Sequence, residues 1–116
     1  MIFETEILYQ IFLGAAFGGL IGLERSFFKK QAGLRTFALV GLGAALFSII
    51  ATYSGVSAIL SNIVVGVGFL GAGLIFYHEE KLTGVTTASA LWITAAIGAA
   101  VGQKLYIESF FATLLT

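Results

Sequence analysis

The chain has 116 residues, of which 59% are hydrophobic and only 10% are charged, and its formal net charge is zero. A water-soluble domain usually carries charged groups on about a quarter of its residues, so this composition excludes one. It predicts instead a single integral membrane domain over residues 1–116. The chain contains no cysteine, which excludes disulfides, thiol nucleophiles and thiolate metal sites.

Four apolar segments are predicted to cross the membrane as helices, at about residues 7–23, 36–53, 58–77 and 85–102. Residues 105–116 are too short to cross alone. This tail is expected to lie along the interface or to form a partial fifth span, and the apolar sequence favours the second. The expected fold class is therefore all-α: a polytopic transmembrane helical bundle with four complete spans plus a short C-terminal helix or partial fifth span.

Basic residues mark one side of the predicted bundle. The first and third connections hold five of the six Lys and Arg residues, and only Lys104 lies on the other side. The positive-inside rule therefore predicts that these two connections are cytoplasmic and that the N-terminus is outside. The five residues are Arg25, Lys29, Lys30, Arg35 and Lys81.

Small residues are predicted to hold the helices together, because they let backbones approach closely in a bilayer. The stretch Asn62–Ile75 has four glycines in an apolar run, which predicts that the third span lies buried between the others. A second stripe recurs every four residues in the first span, and either packs inside the monomer against the third span or forms a twofold dimer interface. The expected packing residues are Gly14, Gly18, Gly22, Asn62, Gly66, Gly68, Gly71 and Gly73.

Asn62 is the clearest polar residue within a predicted span, and its amide needs partners in hydrocarbon. The simpler interpretation is that Asn62 makes a packing hydrogen bond to a neighbouring helix or a second subunit. The more specific interpretation is that it lines a pore. The chain also shows a possible parallel two-span repeat, because G-L-R-T at 33–36 resembles G-V-T-T at 84–87.

Several longer segments resemble the MgtC/SapB family of bacterial inner-membrane proteins. They are G-L-I-G-L-E-R at 19–25, the run A-G-L-R-T-F-A-L-V-G at 32–41, G-V-G-F-L-G-A-G-L-I at 66–75 and T-G-V-T-T-A-S-A-L-W at 83–92. Gln31 stands where the family usually has proline, and the turn at 55–58 lacks the family's charges. The resemblance implies about five spans, a bacterial inner-membrane location, and a role in virulence, in survival at low magnesium and in restraint of the membrane ATP synthase.

A polar cluster is predicted where the first and third connections meet the spans. It is either a set of interfacial anchors with neutralised charges or a polar gate, in which Gly33 allows a sharp turn and Thr36 caps the second helix. An anion at the N–H groups that begin the second and fourth spans is a further option. The residues of this predicted cytoplasmic polar cluster are Glu24, Arg25, Gly33, Arg35, Thr36, Thr86 and Thr87.

Three classes of function were compared. An enzyme is not expected, because no nucleophile–base pair, metal-ligand spacing or phosphate loop is present, so no catalytic residue, metal ligand or cofactor is predicted. A magnesium transporter or channel formed by a small oligomer is the alternative, although the four spans contain no acidic residue. An interaction or regulatory factor is preferred. Its expected partners are membrane lipids, a second copy (a dimer is favoured) and possibly another membrane complex, but no nucleic acid.

Overall fold

Five helices and one short β-hairpin form the part of the chain that the computed structural model describes, which is residues 2–116, with side chains from Glu4 onward. The all-α prediction is confirmed, with the hairpin as an addition to it. The helices are α1 (Ile2–Phe27), α2 (Leu34–Ser54), α3 (Ala58–Ala72), α4 (Val85–Gly102) and α5 (Tyr106–Leu115), and the strands are β1 (Phe76–His78) and β2 (Lys81–Thr83).

Three of these helices are long and apolar enough to cross a membrane, namely α1 over Glu4–Phe27, α2 and α4. The prediction of four complete spans is not supported, because α3 has 15 residues and ends at Ala72 instead of residue 77. A helix of that length measures about 22 Å, which is shorter than a bilayer core of about 30 Å. The two-span repeat stays a prediction.

The residues that follow α3 leave the helix to form the hairpin. Gly71 and Gly73 are poor helix formers, and the chain beyond them pairs Phe76 with Thr83 and His78 with Lys81 in antiparallel register. The two residues of the turn, Glu79 and Glu80, have φ angles of 52° and 64°. Such left-handed turns match the twist of a two-stranded hairpin. The last two residues expected in the third span, Phe76 and Tyr77, therefore lie in an exposed hairpin.

Helices α1, α2 and α4 form the core of the molecule, and their backbones touch at glycines. A Cβ at Gly14 would lie 2.6 Å from the carbonyl oxygen of Gly41, and one at Gly22 would lie 2.7 Å from that of Gly33. Between α4 and α2, a Cβ at Gly102 would lie 2.7 Å from the carbonyl oxygen of Ala45. Only hydrogen fits at these positions, so glycine is what allows the three backbones to meet.

The prediction that the third span lies buried between the other helices is wrong for the single chain. Only Gly71 of α3 is buried, where it contacts Ala88 of α4, and no atom lies within 4 Å of a Cβ built at Gly66 or Gly68. The reason is periodicity: residues two apart in a helix point to nearly opposite sides, so these glycines do not form one face. The glycines of α1 recur every four residues, share one face, and take the central place against α2.

Helix α5 folds back against α4 and α1. The hydroxyl of Ser109 donates a 2.6 Å hydrogen bond to the carbonyl oxygen of Leu105 and lies 3.5 Å from that of Ile97 in α4. The rings of Phe110 and Phe17 are 6.4 Å apart between centroids. With 10 residues, α5 is too short to cross a bilayer, so a fifth span stays a prediction.

Candidate functional site

Arg25 is the most deeply placed charged residue at the end of the molecule that carries the α1–α2 connection. Its side chain is 11% exposed, and its Nη1 lies 3.5 Å from Oε1 of Glu24. Its Nη2 donates a 3.0 Å hydrogen bond to Oγ1 of Thr87, which is buried in the first turn of α4. A guanidinium that is largely shielded from water needs such partners. The hydrogen bond to Thr87 therefore links the end of α1 to the start of α4.

The charge of Arg25 is only partly balanced. Its Nε is buried without a hydrogen-bond partner among the described residues, and Glu24 is half exposed. The guanidinium also lies beside the N-terminal end of α4, which carries the positive end of the helix dipole and has no side-chain cap. The guanidinium and the helix terminus therefore place two positive groups together here, with the carboxylate of Glu24 beside them.

Ser26 organises the connection between α1 and α2. Its Oγ accepts a 2.7 Å hydrogen bond from the backbone N–H of Leu34, the first residue of α2. A Cβ at Gly33 would collide with the same hydroxyl, so this position does not admit a side chain. The prediction that Thr36 caps α2 is wrong, because the helix begins at Leu34 and Thr36 lies inside its first turn.

Gln31 joins this connection to the segments around the hairpin. Its Nε2 donates a 3.1 Å hydrogen bond to the carbonyl oxygen of Leu74, just beyond α3. Gly84, which precedes α4, contacts the same carbonyl and has a φ of 90°, a left-handed conformation that favours glycine. Three segments therefore meet at one end of the molecule: the α1–α2 connection, the end of α3 and the start of α4. The predicted polar cluster needs this arrangement, because its residues come from the first and third connections.

The predicted polar cluster is brought together only in part. Glu24, Arg25 and Thr87 form one interacting group, and Gly33 lies beside it against Ser26. The remaining three members are exposed, and their side chains make no hydrogen bond or ion pair within the described part of the chain; they are Arg35, Thr36 and Thr86.

Gln10 is a buried polar residue that sequence reasoning missed. It is 2% exposed in α1, and its Nε2 donates hydrogen bonds of 3.1 Å to the carbonyl oxygens of both Val101 and Gly102. Both carbonyls lie in the last turn of α4, where carbonyls lack the usual partner four residues on, and that of Val101 also accepts a 3.0 Å hydrogen bond from the backbone N–H of Lys104. The available signal was an amide inside the first apolar segment, where hydrocarbon would leave it unsatisfied.

A polar network beside Gln10 closes the same end of the core. The hydroxyl of Ser48 donates 2.7 Å to the carbonyl oxygen of Ala99, and Nε2 of Gln103 donates 2.8 Å to Oγ1 of Thr52. Farther out, Nζ of Lys104 lies 3.4 Å from Oε2 of Glu6. Both ends of the core are thus fastened by polar side chains, while its middle is apolar and glycine-rich.

An apolar groove of about 690 Å³ separates α2 from α3. Asn62 is the polar residue of its lining; it is exposed, and its side chain makes no hydrogen bond within the described residues. Gly43 on α2 and Gly66 on α3 face this space with nothing within 4 Å of a Cβ. The lining residues are Leu39, Val40, Gly43, Ala44, Phe47, Ile50, Ile59, Asn62, Ile63, Gly66, Val67 and Leu70.

Long apolar helices with glycine contacts between backbones, fastened at their ends by polar groups, define a helical membrane protein. The chain belongs to the MgtC family, which residues 11–116 match. Among the residues that the structure describes, no three His, Cys, Asp or Glu side chains are placed to hold a metal ion together.

Curated relatives with the same sequence pattern come from several bacteria. The chain is 37% identical over 97% of its length to the Escherichia coli K12 protein named "Putative magnesium transporter YhiD" and covers 58% of that protein. It is 44% identical over 84% of its length to Protein MgtC of Brucella abortus and covers 42% of it. It is 38% identical over 93% of its length to Protein SrpB of Synechococcus elongatus, covering 71%.

The chain thus spans about half the length of the first two of these relatives. No solved structure matches it.

Proposed function

We propose that this chain acts in the bacterial inner membrane as an interaction or regulatory factor in adaptation to low magnesium or host stress. The magnesium link is supported by family membership and by the name of the E. coli relative. The proposed mode of action, binding to other membrane proteins, is supported by one observation: the three-helix core is closed, whereas α3 is uncharged and exposed. Small residues and uncharged faces suit the binding of other membrane helices.

The core offers little support for ion passage through one chain. Its middle is filled by buried side chains such as Phe37, Leu91 and Ile97, and Gly41 touches the backbones of both α1 and α4. Mg²⁺ prefers carboxylate oxygens and keeps several waters. The acidic residues of the described chain lie near helix ends or in the hairpin, at Glu4, Glu6, Glu24, Glu79, Glu80 and Glu108.

Magnesium transport is the second candidate, because one relative is named for it. With a filled core, the path would have to run between copies of the chain, lined by backbone carbonyls at exposed glycines. Purified protein in liposomes with a magnesium-sensitive dye inside separates the two functions. The interaction proposal predicts no more influx than in protein-free liposomes, and a saturable magnesium influx would overturn it.

Binding through α3 is tested in cells by a photo-crosslinking amino acid at Leu70, which is 53% exposed on α3 and lines the α2–α3 groove. The matched control places it at Trp92, an exposed aromatic residue of α4. The proposal predicts adducts with membrane proteins, enriched at Leu70 and increased by growth in low magnesium. Equal adducts at both positions, unchanged by magnesium, would contradict it.

The proposed orientation has the α1–α2 connection and the hairpin in the cytoplasm, following the positive-inside rule. Because the chain has no cysteine, single cysteines can be introduced at Lys30 and Ser57, which flank α2 at opposite ends. An impermeant thiol reagent on cells with a permeabilised outer membrane should label Ser57→Cys and spare Lys30→Cys. Labelling of Lys30→Cys from outside would reverse the topology.

A further inference from the structure

The α2–α3 groove has a glycine on each wall that makes no close contact within the described chain. At Gly14, Gly22 and Gly102 the space of a Cβ is taken by a neighbouring backbone. At Gly43 and Gly66, on opposite walls of the groove, nothing lies within 4 Å. Both walls therefore allow another backbone to approach as closely as the helices of the core approach one another.

Asn62 gives a second and independent indication of an occupant. It precedes Gly66 by one turn, so the two residues share a face of α3 and line the same groove. Its amide has no hydrogen-bond partner within the described chain, and in hydrocarbon an unpaired amide is costly. A primary amide both donates and accepts, so the group that best complements it is another amide of the same kind.

The length of α3 is a third indication. Fifteen residues are too few for the bilayer core, and a short helix is accommodated by local thinning, by flanking side chains or by oligomerisation. No charged residue lies in α3 or in the groove lining, so two copies brought together here meet no like-charge repulsion. A partner with a charged helix face would be poorly matched.

We propose that the α2–α3 groove is the self-association site of this protein and that it receives α3 of a second copy. In a twofold arrangement each α3 lies in the groove of the other copy, and the two Asn62 amides pair near the axis. Gly66 brings the α3 backbones together, and Gly43 leaves room on α2. This inference rests on the proposed binding function of α3 and names the partner.

Disulfide cross-linking in native membranes tests the proposal, because the chain supplies no cysteine of its own. Gly66→Cys should give a dimer band on oxidation. Gly68→Cys is the matched control: it is open at a similar depth but faces a smaller pocket between α3 and α4. Equal cross-linking at both positions, or none at Gly66, would overturn the groove as the interface.

Two further changes in the Gly66→Cys protein separate a specific pair from chance collision. Asn62→Leu should lower dimer yield about fivefold, the effect of one membrane hydrogen bond, whereas Asn62→Gln should retain most of it. Gly43→Leu should block the groove and remove the band while leaving the monomer folded. Unchanged yield in Asn62→Leu or Gly43→Leu would contradict the arrangement.

Failure of the self-association proposal can be distinguished from failure of the proposed function. A cross-linked band of different mass, identified as another protein and present without the dimer, would overturn self-association but leave the interaction proposal standing. Saturable magnesium influx into liposomes would overturn the interaction proposal even where the dimer is found.

Discussion

Gly41 and Gly43 lie two residues apart on the same helix and have opposite surroundings. Gly41 contacts the backbones of α1 and α4, and the space beside Gly43 is open. The difference teaches that a glycine in a membrane helix reports close packing only on the face where a neighbouring helix lies. On α2 one face belongs to the closed core and the other to the α2–α3 groove.

The largest effect is expected from a bulky residue on the closed face. Gly41→Leu would force apart three backbones, and we expect a loss of more than about 3 kcal/mol, enough to prevent recovery of folded monomer. Gly43→Leu should leave the monomer's melting temperature in detergent nearly unchanged. Similar losses for both, by size-exclusion profile and thermal melting, would mean that the two faces do not differ.

A smaller loss of stability is expected when the hydrogen bond that links α1 to α4 is removed. Thr87→Val keeps the shape of the buried side chain but removes the acceptor of Arg25 Nη2. We expect a loss of about 1.5–3 kcal/mol, the range for a hydrogen bond to a charged group. Thr86→Val, one residue earlier and exposed, is the matched control and should be close to neutral in the same unfolding titration.

The smallest expected change in stability is a gain. Gly68 lies on α3 with no atom within 4 Å of a Cβ, so Gly68→Ala adds helix propensity without a collision. A gain of up to about 1 kcal/mol is expected in the unfolding free energy of the monomer. Gly102→Ala is the counterpart in the core and should be destabilising, since its Cβ would lie 2.7 Å from a carbonyl oxygen. A loss in Gly68→Ala would place α3 inside the packed core.

Much of the helical framework could be predicted from hydropathy alone. Helix α4 covers the predicted residues 85–102, and α2 extends the predicted segment by a residue or two at each end. The end of α3 could not be predicted this way, because residues 73–77 are apolar enough to continue a span but leave the helix, and Phe76 and Tyr77 pair in a hairpin. Hydropathy does not distinguish these two structures.

The partners of individual residues were less accessible to sequence reasoning. The spacing of Gly14, Gly18 and Gly22 indicates one packing face, but not that α2 covers it. The cap of α2 comes from Ser26, eight residues before Leu34, and not from the threonine that local rules favour. The importance of Gln10 depends on the end of α4, some 90 residues away, which no local pattern shows.

The central claim is that α1, α2 and α4 form the closed core and that α3 is an outer helix. Photolabelling with a lipid-soluble carbene reagent, followed by mass spectrometry of the unmodified protein in membranes, tests it directly. The account predicts strong labelling at Val65 and Phe69 of α3, which are 73% and 81% exposed, and little at Ala45 and Ser48 of α2, which are buried. An α3 protected around its whole circumference, with label on the inner face of α2, would contradict it.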